Sequence, residues 1–416
     1  MRRSRYETLS RSAQFQKGLN QLKLLPETPE RQQQELEFCS SLGAALRFVK
    51  GQATPEMGHA FARARELWEQ LGSPSQFFHI PYGLSRHHSF RGEFDLAQRL
   101  DEDLLRLSRQ RNDAVGLVLG HDCFGRDLLL AGRFASARSH FEEVLSLYDP
   151  TSHASLVKQT GSHPQVISRG HLAIALFCLG FPDQALAQSK AAVAEAHRLG
   201  HPPTLTVILS AECRLLSLAR EYTALDERAS QLIAVATEQG FPLFRMLGTI
   251  YLGSVKANTG DLPMGISLLR SGSSAYIATG AKTRIAYHMA LLASACEKAG
   301  QVEETLSLLD DALQISEKIG ECWFTSELYR HKGCLMLRQG DRKAAEDLYR
   351  QALATARKQE AKLWELRAAT SLATLGRDHV HRSEAHELLA PVYDWFIEGF
   401  GTQDLKGAKA LFDELS

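Results

Sequence analysis

Gly92-Glu-Phe94-Asp-Leu-Ala97 and Gly132-Arg-Phe134-Ala-Ser-Ala137 are the same six-residue phrase, repeated forty residues apart. Gly180, Gly260, Gly300 and Gly340 continue the series, with Arg220 and then Val380 standing where further glycines fall due. Seven residues before each mark stand Ser85, Gly125, Ala173, Cys213, Gly253, Ala293, Gly333 and Ala373, all small. Five residues after it stand Ala97, Ala137, Ala185, Leu225, Gly265, Thr305, Ala345 and Ala385, with Leu225 the one bulky exception. A fixed period of this kind signals stacked supersecondary units. Each unit reads as two antiparallel helices. The first (helix A) needs a small residue where the second (helix B) crosses it closely, and the glycine ends helix A in the left-handed conformation. Apolar residues at spacings of three and four, such as Leu306, Leu309 and Leu313, give helix B its buried face.

The phrase Gly-x-Phe-x-x-Ala resembles the tetratricopeptide signature. The resemblance implies an all-α, right-handed α-solenoid of helix pairs with a period of about 40 residues, longer than the usual unit. Leu24–Leu36, Ala62–Leu67, Gly180–Leu186, Ala236–Pro242 and Trp364–Leu372 together resemble a narrower group. This is the C-terminal repeat region of bacterial signalling proteins that carry an adenylate/guanylate cyclase domain and a P-loop ATPase domain upstream. Neither catalytic part carries over, because the chain has no Gly-Lys dipeptide with which to cradle phosphates. Residues 1–26, with Phe15, Leu19, Leu22 and Leu25, read as a helix B lacking its helix A. Residues 27–400 read as the solenoid and 401–416 as a capping helix, so the chain reads as a shortened copy of a longer protein.

Composition agrees with a binding module. The 416 residues carry 48 basic and 48 acidic side chains, and the absence of a basic surplus argues against a nucleic-acid partner. No apolar run is long enough to span a membrane. Seven cysteines, an odd number without a C-x-x-C pair, point to reduced thiols and a cytoplasmic setting. Nucleophile-elbow, dinucleotide and zincin motifs are missing, and His79, His87, His88, His379, His381 and His386 lack good ligand spacing. The expectation is therefore no enzyme, no cofactor and no metal.

What remains is the concave face, which helix A lines. Six residues before the mark, Arg86, Arg126 and Arg214 should face it. Ten before, Tyr82, Asp122 and Arg330 should do so. Arginine pairs carboxylates through a planar fork, so an acidic peptide or protein segment is the expected partner, with a small-molecule sensor as the alternative. Asp122 and nearby acids could instead neutralise the arginines within the scaffold. Tyr148–Pro164 holds eight extra residues and reads as a surface insertion or a ligand-facing loop. Trp68 and Trp395 read as fillers between helices, and Trp323 and Trp364 as staples between successive units.

Overall fold

The computed structural model describes residues 3–151, 153, 156–376 and 382–415. His379, His381 and the mark at Val380 lie outside the described residues. An opening helix, α1 (Arg3–Leu22), precedes α2 (Pro29–Val49) and α3 (Pro55–Gln70). Then come α4 (His79–Phe90) and α5 (Phe94–Gln110), α6 (Ala114–Leu130) and α7 (Phe134–Leu147), and a short α8 (Leu156–Thr160). The series continues with α9 (Pro164–Leu179) and α10 (Pro182–Leu199), α11 (Pro202–Ala219) and α12 (Tyr222–Gln239), and α13 (Pro242–Thr259) and α14 (Leu262–Ile277). It ends with α15 (Ile285–Lys298) and α16 (Val302–Ile319), α17 (Thr325–Arg338) and α18 (Arg342–Lys358), α19 (Lys362–Leu375) and α20 (Arg382–Tyr393), and α21 (Gln403–Leu415). There is no strand among the described residues. The fold is the expected all-α solenoid of helix hairpins.

The periodic residues act as their spacing implies. Gly180 ends α9 at φ +94°, and Arg220, in the glycine's place, ends α11 at φ +61°. Proline at the first positions of α9 to α11 and α13 fits helix starts, where the missing N–H costs nothing. At the crossing of α13 and α14, a Cβ on Gly253 would lie 2.8 Å from the Leu269 nitrogen. One on Gly265 would lie 2.5 Å from the Ala257 nitrogen. Backbone meets backbone there, so neither position can take a side chain without moving a helix.

The A helices form the inner layer, each touching the next: α2 and α4, α4 and α6, α6 and α9, α9 and α11, α11 and α13, α13 and α15. The inner layer then closes on itself. Phe48 at the end of α2 packs on Phe241 before α13, with ring centroids 5.4 Å apart. The Lys282 N–H donates to the Phe90 carbonyl (2.8 Å), and the Trp323 N–H donates to the Leu130 carbonyl (3.1 Å). Trp364 meets Phe177 edge-on, and Arg367 donates to the Leu218 carbonyl (2.6 Å). Each contact joins a unit to the one five or four further along. The superhelix therefore completes a turn in about five units, and its second turn seats on its first. Trp323 and Trp364 staple successive units as expected, Trp364 Nε1 donating to the Trp323 carbonyl (3.2 Å), but they also staple the two turns.

Two expectations are corrected. Past the exposed residues 149–151, the described part of the insertion at 148–164 is not a surface loop: Leu156, Thr160, Ser162 and His163 are buried, and α8 packs against α2, α4 and α9. Trp395 lies at the surface, partly exposed, against Phe181. Five cysteines are buried, Cys322 and Cys334 are half-buried, and all seven are free thiols.

Candidate functional site

Closure of the inner layer leaves a cavity of about 40 Å³ between the two superhelical turns. Its lining comes from six A helices or their entry turns and from the turn between α2 and α3. The polar side is Arg86 of α4, Arg126 of α6, His171 of α9, Arg214 of α11, Arg284 before α15, and Gln52. The rest of the lining is largely apolar, with Phe90, Leu243, Phe244, Leu247 and Tyr251 among others. Arg86, Arg126 and Arg214, read from the sequence as a stripe, are thus brought together in one pocket.

Tyr82 and Asp122 lie behind it. The Tyr82 hydroxyl donates to Asp122 Oδ2 (3.1 Å), Ser168 Oγ donates to Asp122 Oδ1 (2.7 Å), and Arg86 Nη1 lies 3.9 Å from Asp122 Oδ2. Arg86 Nη1 also donates to the Tyr82 hydroxyl (3.3 Å), and its Nε donates to Gln52 Oε1 (3.0 Å). Asp122 lies nearest Arg86, and its charge also favours the cationic forms of Arg126 and Arg47.

Arg126 is different. It is 5% exposed, and none of its three guanidinium nitrogens makes a hydrogen bond. Asp127 Oδ1, 3.4 Å from Nε, is its ion-pair partner and is also bound by the Ser89 hydroxyl (2.7 Å). Arg214 has a buried Nε without a partner and lies over the Trp323 ring at 5.6 Å. Arg284 lies over Phe90 at 4.9 Å and reaches the Tyr276 hydroxyl at 3.4 Å, while its Nε has no partner. Arg47 donates to the Thr160 carbonyl (2.7 Å) and leaves two buried nitrogens unpaired.

The acids nearby do not balance these charges. Five guanidiniums, of Arg47, Arg86, Arg126, Arg214 and Arg284, are set in this region against Asp122, Asp127, Asp101 and Glu321. Burial first, and Asp127 second, push Asp101 well above the usual carboxylate range, so it holds its proton. Burial would lower Arg126, but Cys123, Asp127 and Asp122 raise it; the surplus shows in two other neighbours. Burial first, then the Arg86 charge, draws Arg47 down to about 9. Burial, then Arg214, Arg126 and Arg86, holds His171 well below its ordinary value, so it stays neutral with Nδ1 buried and unpaired.

Arg330 stands elsewhere, in a second cluster with Arg220, Arg367, Asp404 and Glu327 around a cavity of about 150 Å³. Arg330 grips Glu327 through Nε (2.6 Å) and Nη2 (3.1 Å), and Arg367 binds Glu327 (3.0 Å) and both oxygens of Asp404. Burial alone would raise the Glu327 carboxyl, but Arg330 and Arg367 hold it down to about 2. This cluster is internally paired and ties the last A helices to α11.

Beside the first pocket, His288 packs edge-on to Tyr276 (4.9 Å), with both ring nitrogens buried and unpaired. Burial, then Arg284 and Arg214, lowers it to about 3. The native state keeps it neutral while the unfolded chain protonates near 6.5. Its contribution is therefore whole above pH 6.5 and falls by about 1.4 kcal/mol per pH unit below that, down to the folded value. Urea unfolding of wild type and His288→Leu at pH 7, 6 and 5 should show a shallower pH slope in the variant; equal slopes would refute this.

Sequence reading missed Arg284, Arg47 and His171. Arg284 lies in a turn at φ +65° rather than at a helix register position. Arg47 falls outside the chosen register, and His171 is hidden in an apolar run. A buried histidine ahead of LAIALFCL was the one available signal. No group of three or more metal-ligating side chains is present among the described residues. No helix among them is long and apolar enough to cross a membrane.

A closed superhelix of helix hairpins around an inner pocket defines a tetratricopeptide-like protein. Residues 282–358 match the tetratricopeptide repeat family. An uncharacterised protein of Rhizobium meliloti (strain 1021) is 25% identical over 319 residues, which is 76% of this chain and 30% of that protein, so the chain spans less than a third of its relative's length. Among solved structures, a Rap protein complexed with Competence and Sporulation Factor aligns over 94% of this chain and all of its own, at TM-score 0.57 and 10% identity. NprR in complex with its cognate peptide NprX aligns over 86% of this chain and 98% of its own, at TM-score 0.56 and 12% identity. The Rap conjugation gene regulator of plasmid pLS20, in complex with the Phr* peptide, aligns over 91% and 98%, at TM-score 0.53 and 12% identity. These likenesses establish the fold.

Proposed function

We propose that this chain is a non-catalytic scaffold that binds a protein or peptide partner on its inner face. Arg86, Arg126 and Arg214 receive an acidic group of that partner, and Tyr82 and Asp122 hold Arg86 in place. The observation that carries the reading is Arg126, a buried cation with no hydrogen bond to any of its nitrogens. A buried guanidinium whose nitrogens make no hydrogen bond, with Asp127 as an ion-pair partner at 3.4 Å, is costly, and retaining one is intelligible where a ligand completes it. Two solved proteins of this fold hold peptides and a third holds Competence and Sporulation Factor, which supports the partner class. Descent from the C-terminal arm of a cyclase/ATPase-type signalling protein is part of the proposal. It rests on the sequence resemblance and on the greater length of the Rhizobium relative.

An immobilised array of acidic, neutral and basic ten-residue peptides tests it. Wild type should bind a subset of the acidic ones, and the folded Arg86→Ala/Arg126→Ala/Arg214→Ala variant should lose them by at least tenfold. Full retention by that variant would sink the site. A second reading, a small-molecule sensor, is favoured by the small size and half-apolar wall of the pocket.

A further inference from the structure

We infer that the cavity between α11, α17, α19 and α21 is a second binding site, separate from the central pocket, and that it takes one oxyanion from solution through Arg220.

The first observation is where Arg220 stands. Gly92, Gly132, Gly180, Gly260, Gly300 and Gly340 hold the mark in the left-handed region, and Arg220 holds the same region at φ +61°. A Cβ makes that conformation costly, and glycine avoids the cost. The hairpin itself therefore does not ask for an arginine. The second observation is charge. Arg220, Arg330 and Arg367 meet Asp404 and Glu327, three guanidiniums against two carboxylates. Arg330 and Arg367 carry the pairing: Arg330 grips Glu327, and Arg367 binds Glu327 and both oxygens of Asp404. Arg220 is left with Asp404 Oδ1 at 3.4 Å and makes no side-chain hydrogen bond. The Arg367 charge, ahead of burial, draws Arg220 below its ordinary value, so repulsion and burial together outweigh its pairing. The third observation is the lining. The Arg220 side chain is 40% exposed, within reach of a dissolved anion. Ser371 and Gln403 line the same cavity with no hydrogen-bond partner among the described residues. The first turn of α21, which begins at Gln403, adds the partial positive charge of a helix N-terminus. Its Gly407 opens onto free space, with nothing within 4 Å of a Cβ placed there. At about 150 Å³ the cavity has room for a phosphate and some of its water, one water needing about 10–15 Å³.

Thermal unfolding of the full chain in inorganic phosphate, sulfate or acetate, against chloride at one ionic strength, reads the site. An oxyanion at about 10 mM should raise Tm by about 2 °C over chloride. A rise in phosphate or sulfate assigns a tetrahedral group, and a rise in acetate alone assigns a carboxylate. Arg220→Gly restores the residue of the other units and should abolish the rise. Its urea midpoint in chloride should equal or exceed that of wild type, because Asp404 keeps both bonds from Arg367. No rise in any of the three, or a rise unchanged in Arg220→Gly, overturns the inference. A lowered midpoint of Arg220→Gly in chloride does so too, since Arg220 would then be a tie between α11 and α21.

The folded Arg86→Ala/Arg126→Ala/Arg214→Ala variant separates the two sites, and it should keep the rise. A rise that disappears there and survives in Arg220→Gly would place the anion in the central pocket, overturning this inference and leaving the proposed function standing. An intact rise with peptide binding also intact would sink the central site and leave this one standing.

Discussion

A Trp364→Ala chain is expected to lose about 4 kcal/mol of stability, within the range measured for buried aromatic truncations. Trp364 is fully buried at the seam between the two superhelical turns. It meets Phe177 of the first turn and Phe324 of the second, both edge-on, and its ring lies under the Arg367 guanidinium at 4.9 Å. Its Nε1 also satisfies the Trp323 carbonyl. Truncation removes the dispersion contacts, leaves a cavity in a close-packed seam and orphans a buried acceptor. Trp395, partly exposed beside Phe181, is the matched control and should cost less than about 1.5 kcal/mol. Urea midpoints of both variants measure the difference. A Trp364→Ala loss below about 2 kcal/mol would mean that the turns do not depend on this seam.

The seam also marks the boundary of what the sequence made legible. Ser85, Gly253, Gly265 and their equivalents are local packing requirements, each met within one helix hairpin, so a fixed period exposed them. Arg86, Arg126 and Arg214 were legible for the same reason: the groove register is a property of one A helix. Contacts such as Trp323 with Leu130 join units almost two hundred residues apart, and nothing in a repeat states how tightly the solenoid winds. Closure turned an expected open stripe into a pocket and brought Arg284 from a turn to its rim. It separated Arg330 into another cluster. Buried Leu156 in a stretch rich in Pro, Gly, Ser and Thr was illegible too, because its burial depends on the space α2, α4 and α9 leave between them.

Arg126→Met is expected to have two effects of opposite sign. Without ligand the variant should gain about 2 kcal/mol, because a buried guanidinium without hydrogen bonds gives way to a side chain that suits a dry interior. Asp127 is not stranded by the change: Ser89 still donates to it, and burial already raises its carboxyl. Ligand protection should disappear. A residue that lowers the stability of the empty protein yet is needed for binding is the signature of a site retained for its ligand.

The measurement closest to the central claim is the urea stability of ligand-free Arg126→Met against wild type, with m-values checked for a common unfolding reaction. A raised midpoint is the predicted result, and it places Arg126 in the service of a bound anion. A loss of about 3 kcal/mol or more, the cost of breaking a satisfied buried pair, would show that Arg126 holds the scaffold together and would contradict the pocket's assignment.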